Sequence, residues 1–227
     1  ARPSRPAPRM CWSRFARQPI LDQGCRIPMS RHPFSSWHVG VAAEAFAAGL
    51  FARCGLDVSV QYGANQPEYD LLVVRGDAVL KVSVKGSKDD SWGLTQSYLP
   101  KRTNLSAGPD YHLAANLWLA GHGRTTVLCL VQFHATQLTE MPRVYLATAE
   151  EVANRLKSTA NGRGDTILYE RKVWTTRAHA AGTVDEIPGS WAFSEERVDE
   201  LFARLFTPSL PSSLGQAPGA TQTHAAS

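Results

Sequence analysis

Tyr69-Asp70-Leu71-Leu72-Val73-Val74, a turn at Arg75-Gly76-Asp77, and then Lys81-Val82-Ser83-Val84-Lys85 form the stretch that decides the fold. Both runs are rich in branched apolar residues, and the glycine between them marks a tight turn. They predict two antiparallel strands over about 68–75 and 78–86. Side chains alternate along a strand, so Lys81, Ser83 and Lys85 share one face while Leu80, Val82 and Val84 take the other. Asp70 opens the first strand, where an unpaired carboxylate among apolar neighbours is costly. It either serves a site, caps a turn or pairs with Lys85.

Working outward, Trp37 to Cys54 is alanine-rich, with Val39, Ala42, Phe46 and Leu50 at helical spacing. Gly55 follows as a natural helix stop. Glu44 sits in this helix with Gly40 before it and Ala47 and Ala48 after it, small neighbours that let a strand or substrate approach the carboxylate. The competing reading is a solvent-facing glutamate. Asp57 to Tyr62 alternates as a strand, and Gly63 to Pro67 is a turn. An acid on a helix, an acid on one strand and a lysine on the next can together hold a divalent cation beside a phosphodiester.

In order and strand context these residues resemble the PD-(D/E)XK nuclease superfamily, and are similar to its resolvase-like and intron-encoded members. That pattern runs helical Glu, strand Asp, then acid-x-Lys; here the places are Glu44, Asp70 and Ser83-Val84-Lys85, within residues 37–99. The resemblance implies a restriction-endonuclease-like fold, an α/β/α sandwich around a central mixed sheet. It implies a Mg²⁺-dependent endonuclease (Mn²⁺ as substitute) acting on DNA, with Glu44 and Asp70 holding the metal. Lys85 would assist the attacking water or the phosphate charge. Gln96 matches a glutamine that some members place after the lysine.

Ser83 departs from the pattern, because a neutral hydroxyl stands where an acid is usual. Three accounts follow. The hydroxyl can bind the metal's water shell while Glu44 supplies charge. An acid can come from elsewhere, with Glu68, Asp89 and Asp90 nearest in sequence. Or hydrolysis is lost, leaving a degenerate nucleic-acid-binding or assembly subunit. Trp92 and Tyr98 either stack on a base or pack back on the core. Lys81 either contacts a phosphate or is solvated.

The rest of the chain bounds this reading. Its 227 residues suit one domain with tails, and no apolar run approaches the length of a membrane span. Cys11, Cys25, Cys54 and Cys129 form no CxxC pair and read as reduced thiols of a cytoplasmic protein. The seven histidines show no metal-binding spacing, and no Walker-type loop is present. Residues 1–28 hold six of the arginines and one acid, so the other 18 bases face 19 acids. Any attraction to phosphate therefore comes from a local patch or from this Arg/Pro-rich leader. The leader is expected to be disordered, either translated upstream sequence before Met29 or a basic arm.

Residues 29–206 are expected to form the domain, and 207–227 a disordered tail. The stretch 87–109 is predicted as a loop over the site. Beyond it, helices are expected over 111–120, 149–158 and from Ser194, and strands over 125–133, 143–147 and 166–174. Cutting both strands of a duplex calls for two sites, which makes a homodimer the expected assembly.

Overall fold

The computed structural model describes residues 34–61, 68–99, 108–175 and 179–206. The leader, Met29 and the tail lie outside these residues. So do Cys11 and Cys25, while Cys54 and Cys129 are free thiols.

The first helix, α1 (Ser36–Arg53), begins where the Ser35 side chain and His38 cap each other reciprocally. Three strands follow: β1 (Asp57–Val60), β2 (Leu71–Arg75) and β3 (Ala78–Ser87). They pair antiparallel, with Gly76 at φ 57° in the β2–β3 turn. Next come β4 (Ser91–Gly93), α2 (Tyr111–Ala120) and β5 (Thr126–Gln132). Strand β5 lies parallel to β3, as a crossover through a helix permits. Then β6 (Arg143–Thr148) pairs antiparallel with β5 and runs directly into α3 (Ala149–Ser158), where Thr148 and Glu151 form a second capping box. The chain continues through β7 (Ile167–Tyr169), β8 (Arg171–Val173) and β9 (Val184–Glu186) to α4 (Glu195–Phe206), capped by the Ser194 hydroxyl, which accepts from Arg197 N.

The central sheet has the order β1-β2-β3-β5-β6. Alternation along β5 divides its side chains between two cores. Val127, Cys129 and Val131 pack with Ala43, Ala47 and Phe51 of α1 and with Val198, Leu201 and Phe202 of α4. Leu128 and Leu130 pack with Ala115 and Trp118 of α2 and with Val152, Ala153 and Leu156 of α3. This is the expected α/β/α sandwich around a mixed sheet.

Three expectations are corrected. The buried face of α1 is Val39, Ala43, Ala47 and Phe51, not the Ala42–Phe46–Leu50 stripe. The helix is apolar around most of its circumference, so periodicity alone does not fix which face is buried. The stretch after β3 is not simply loop. Strand β4 pairs with β7, and a 3₁₀ turn spans Gln96–Tyr98. The single strand expected over 166–174 is two short ones, β7 and β8, which pair with β4 and β9 in separate two-stranded sheets.

Candidate active site

The β2–β3 register ends at Leu71↔Val82, and Asp70 sits just beyond it. Its backbone remains tied in, donating to Val82 O (2.9 Å) while its carbonyl accepts from Gln61 N (2.8 Å). The Asp70 carboxylate takes over where the ladder stops: Oδ2 accepts from Val84 N at 2.6 Å. A half-buried acid is thereby fixed at the lip of the sheet by a charge-assisted bond. The turn-cap alternative does not describe it, and no ion pair joins it to Lys85 among the described residues.

Glu44 and Lys85 converge on the same end of the sheet. Partial burial pushes the Glu44 carboxyl above its ordinary range, the charge of Asp70 pushes it further, and Lys85 opposes both. The structure thus places Asp70 and Lys85, two of the expected residues, within reach of the charge of a third, Glu44. Helix and strand meet here because Gly86 follows Lys85. A Cβ on Gly86 would lie 2.8 Å from Val39 Cγ1, 2.9 Å from Ala43 Cβ and 2.9 Å from Val39 O. The small residues that permit the approach are therefore Gly86 and Ala43, whereas Gly40 has nothing within 4 Å.

Ser83 lies between two exposed lysines, yet is itself buried at 3 % exposure. Its register partner, Leu128, belongs to the α2/α3 core. Of the acids considered as replacements, none is among the charges that shift Glu44. Asp89 accepts from the Ser87 hydroxyl at 2.9 Å, and Asp90 lies 3.4 Å from His134 Nε2. Glu68 is exposed, with its Oε1 3.9 Å from where a Cβ on Gly121 would be. Among the described residues, no group of three or more His, Cys, Asp or Glu side chains is placed to share a metal.

Gln96 is exposed at the start of its 3₁₀ turn, with its side-chain amide folded over Gly93. Nothing in the geometry joins it to Asp70 or Lys85. Trp92 proves to be a core residue at 3 % exposure, and its indole N–H donates to Lys85 O at 2.8 Å. It positions the backbone of the candidate lysine and is closed to stacking on a base. Tyr98 remains exposed at 37 %. Lys81 Nζ lies 5.3 Å from the Tyr69 ring centroid, a cation–π contact. Sequence reading missed Gly86 as a packing requirement. The glycine following the lysine was visible there, but its partner face on α1 was not.

No family model matches the chain, and no curated protein does. Among solved structures, it is similar to the bacterial homing endonuclease I-Ssp6803I, with a TM-score of 0.34 and 16% identity. That match covers 63% of this chain and 81% of the other. A TM-score of 0.34 is too low to establish a common fold, so the functional reading rests on the site's own geometry. No helix among the described residues is long and apolar enough to cross a membrane.

Proposed function

We propose that the protein is a metal-dependent endonuclease that hydrolyses phosphodiester bonds of DNA, with Glu44 and Asp70 holding the metal. The observation that carries this reading is the meeting of two acids, Glu44 and Asp70, at one end of the sheet with Lys85 beside them. Glu44 is destabilised as an anion by its surroundings and by Asp70, and Lys85 offsets this only in part. A divalent cation would relieve that repulsion directly.

The ion proposed is Mg²⁺, with Mn²⁺ as its substitute. Bound there, the ion would neutralise phosphoryl charge and activate water. The chain's own residues do the rest. The Val84 N–H holds Asp70 in one orientation, leaving Oδ1 for the metal. The Lys85 ammonium, exposed at the same end, meets the charge that develops on the phosphate or orients the attacking water. Ser83, buried between the two exposed lysines, would back the site without touching the ion, and Gln96, which does not join Asp70 or Lys85, would contact DNA outside it.

A second reading is favoured by one observation. Ser83 is a buried hydroxyl at the usual acidic place, and no third acid among the described residues joins Glu44 and Asp70. With one charge fewer, the fold would serve as a degenerate nucleic-acid-binding or assembly subunit. Titration calorimetry with Mg²⁺ and Mn²⁺ separates the two. The nuclease reading expects binding that Asp70→Ala abolishes and that strengthens as pH rises through the elevated Glu44 titration, since proton and metal compete. No binding to wild type, or binding indifferent to Asp70, would sink it.

A further inference from the structure

A second cluster lies outside the candidate active site, where α2, the loop after α3 and the β7–β8 corner come together. Arg163 lies over two rings, its guanidinium carbon 5.4 Å from the Tyr111 centroid and 5.7 Å from that of Trp174. Lys172 Nζ likewise lies 5.1 Å from the Tyr169 centroid and 5.8 Å from Trp174. Tyr169 and Trp174 meet edge to face at 6.1 Å. The result is a continuous row, Tyr111–Arg163–Trp174–Lys172–Tyr169, in which rings and cations alternate.

What distinguishes this row is that each of its cations lies over two rings, where Arg75 and Lys81 lie over one. Arg75, Arg143, Arg155, Arg197 and Arg204 each pair with a carboxylate. Among the described residues no such ion pair forms with Arg163 or Lys172. The acid opposite Lys172 in register is Asp185, and it is already engaged. It accepts from Arg155 Nη2 (3.0 Å), the Trp174 indole N–H (2.6 Å) and Ala160 N (2.8 Å). A ring face restrains a cation and leaves its charge intact, whereas a carboxylate cancels it. Arg163 is exposed and Lys172 half-buried, so two positive charges are held ready at the surface. Restraint before binding lowers the ordering cost of an encounter.

Strand β4 links the row to the main chain of Lys85. Tyr169 faces Ser91 in the β4–β7 register, and the adjoining Trp92 donates to Lys85 O. A duplex carries many phosphates beyond the one at a cut, and these call for further cations. Paired carboxylates would repel such a strand, and isolated flexible lysines would pay ordering entropy on meeting it; ring-held cations do neither. We infer that Arg163 and Lys172, presented by Tyr111, Trp174 and Tyr169, form a contact surface for the phosphate backbone of duplex DNA flanking the cut. The choice of DNA rests on the function proposed above, but the surface is tested by binding alone.

The experiment is fluorescence anisotropy of a labelled DNA duplex with the full chain in EDTA, where nothing is cut, across a series of salt concentrations. Arg163→Glu/Lys172→Glu is compared with wild type, with Asp70→Ala and with Arg53→Glu, which changes net charge at an exposed position elsewhere. The double variant should bind about tenfold more weakly at 0.1 M salt, and its log–log salt slope should shrink by about two, one per lost phosphate contact. Asp70→Ala, which removes an acid from the phosphate's path in EDTA, should bind no more weakly than wild type, so loss of cleavage and loss of binding are scored separately. Should the double reversal not fold, Arg163→Gln/Lys172→Gln takes its place with about a fivefold loss. Binding equal to wild type, a loss no greater than that of Arg53→Glu, or no binding by wild type would overturn the surface; failure of cleavage alone would not.

Discussion

Glu44 and Glu151 are both partly buried helical acids, yet their surroundings treat them in opposite ways. Burial acts on Glu151 as it does on Glu44, pushing the carboxyl up. Around Glu151 that push is outweighed by the Thr148 N–H and by Arg197 and Arg204, and the carboxyl lies below its ordinary range. Glu170 follows the same rule, with Arg143 bidentate on it at 2.7 and 2.8 Å and the Tyr145 hydroxyl at 2.6 Å. Glu44 instead faces another acid, and its nearby lysine offsets the cost only in part. The contrast is between acids whose charge the fold matches and an acid whose charge it matches only in part. The first kind is clamped by arginines, and the second opens toward solvent at the end of a sheet.

The sharpest way to break this contrast is at Arg197, which is 4 % exposed and bridges Glu151 (2.7 Å), Glu200 (2.8 Å) and the Leu146 carbonyl (3.2 Å). Arg197→Ala leaves these groups without their shared donor and should cost about 3 kcal/mol or more in denaturant unfolding. A loss below about 1 kcal/mol would show that the clamp is solvated and the contrast false.

Gly86→Ala tests the packing that brings α1 to the lysine strand. Its Cβ would press on Val39 and on Ala43, so we expect a loss of about 1–3 kcal/mol as the helix shifts. Metal binding should weaken with it. Unchanged stability together with unchanged metal affinity would mean that the close approach does not set the position of Glu44.

The smallest effect is expected at Glu44 itself. A carboxyl whose folded-state pKa is raised binds its proton more tightly in the native state, so its contribution to stability is lost as pH climbs above the unfolded value near 4.5. Glu44→Gln should therefore raise the melting temperature at pH 7 without metal by roughly 1–2 °C, the scale of a few tenths of a kcal/mol in a domain this size. The gain should vanish below pH 4.5, and Mg²⁺ should stabilise wild type but not the variant. A variant less stable than wild type at pH 7 would place Glu44 among the acids of the fold.

The same contrast explains what the sequence made legible. The β2–β3 hairpin announces itself through alternation and a glycine turn, and Asp70 stands out because an acid opening an apolar strand needs a reason. Lys85 follows from its place at the end of that hairpin, and Glu44 from the nuclease-like order of residues that the hairpin completes. The buried face of α1 was hidden because its apolar residues nearly encircle the helix. Strand β4 and the β7–β8 corner were hidden because three-residue strands carry too few alternations to register, and their pairing is long-range. Trp92 illustrates the cost. In the sequence it is an aromatic in a polar stretch, and only the β4–β7 pairing shows that it is core and holds the Lys85 carbonyl. Ser83 was legible as a departure, but its burial depends on a neighbouring strand about forty-five residues away.

Cleavage of linear, supercoiled and branched DNA in Mg²⁺ or Mn²⁺, with wild type run beside Asp70→Ala and Lys85→Ala, tests the central claim most directly. The account predicts cleavage by wild type that EDTA abolishes and that each substitution lowers by about a hundredfold or more. Intact DNA on every substrate, with folded wild-type protein bound to it, would contradict the account and leave a binding subunit in which Ser83 has ended the chemistry.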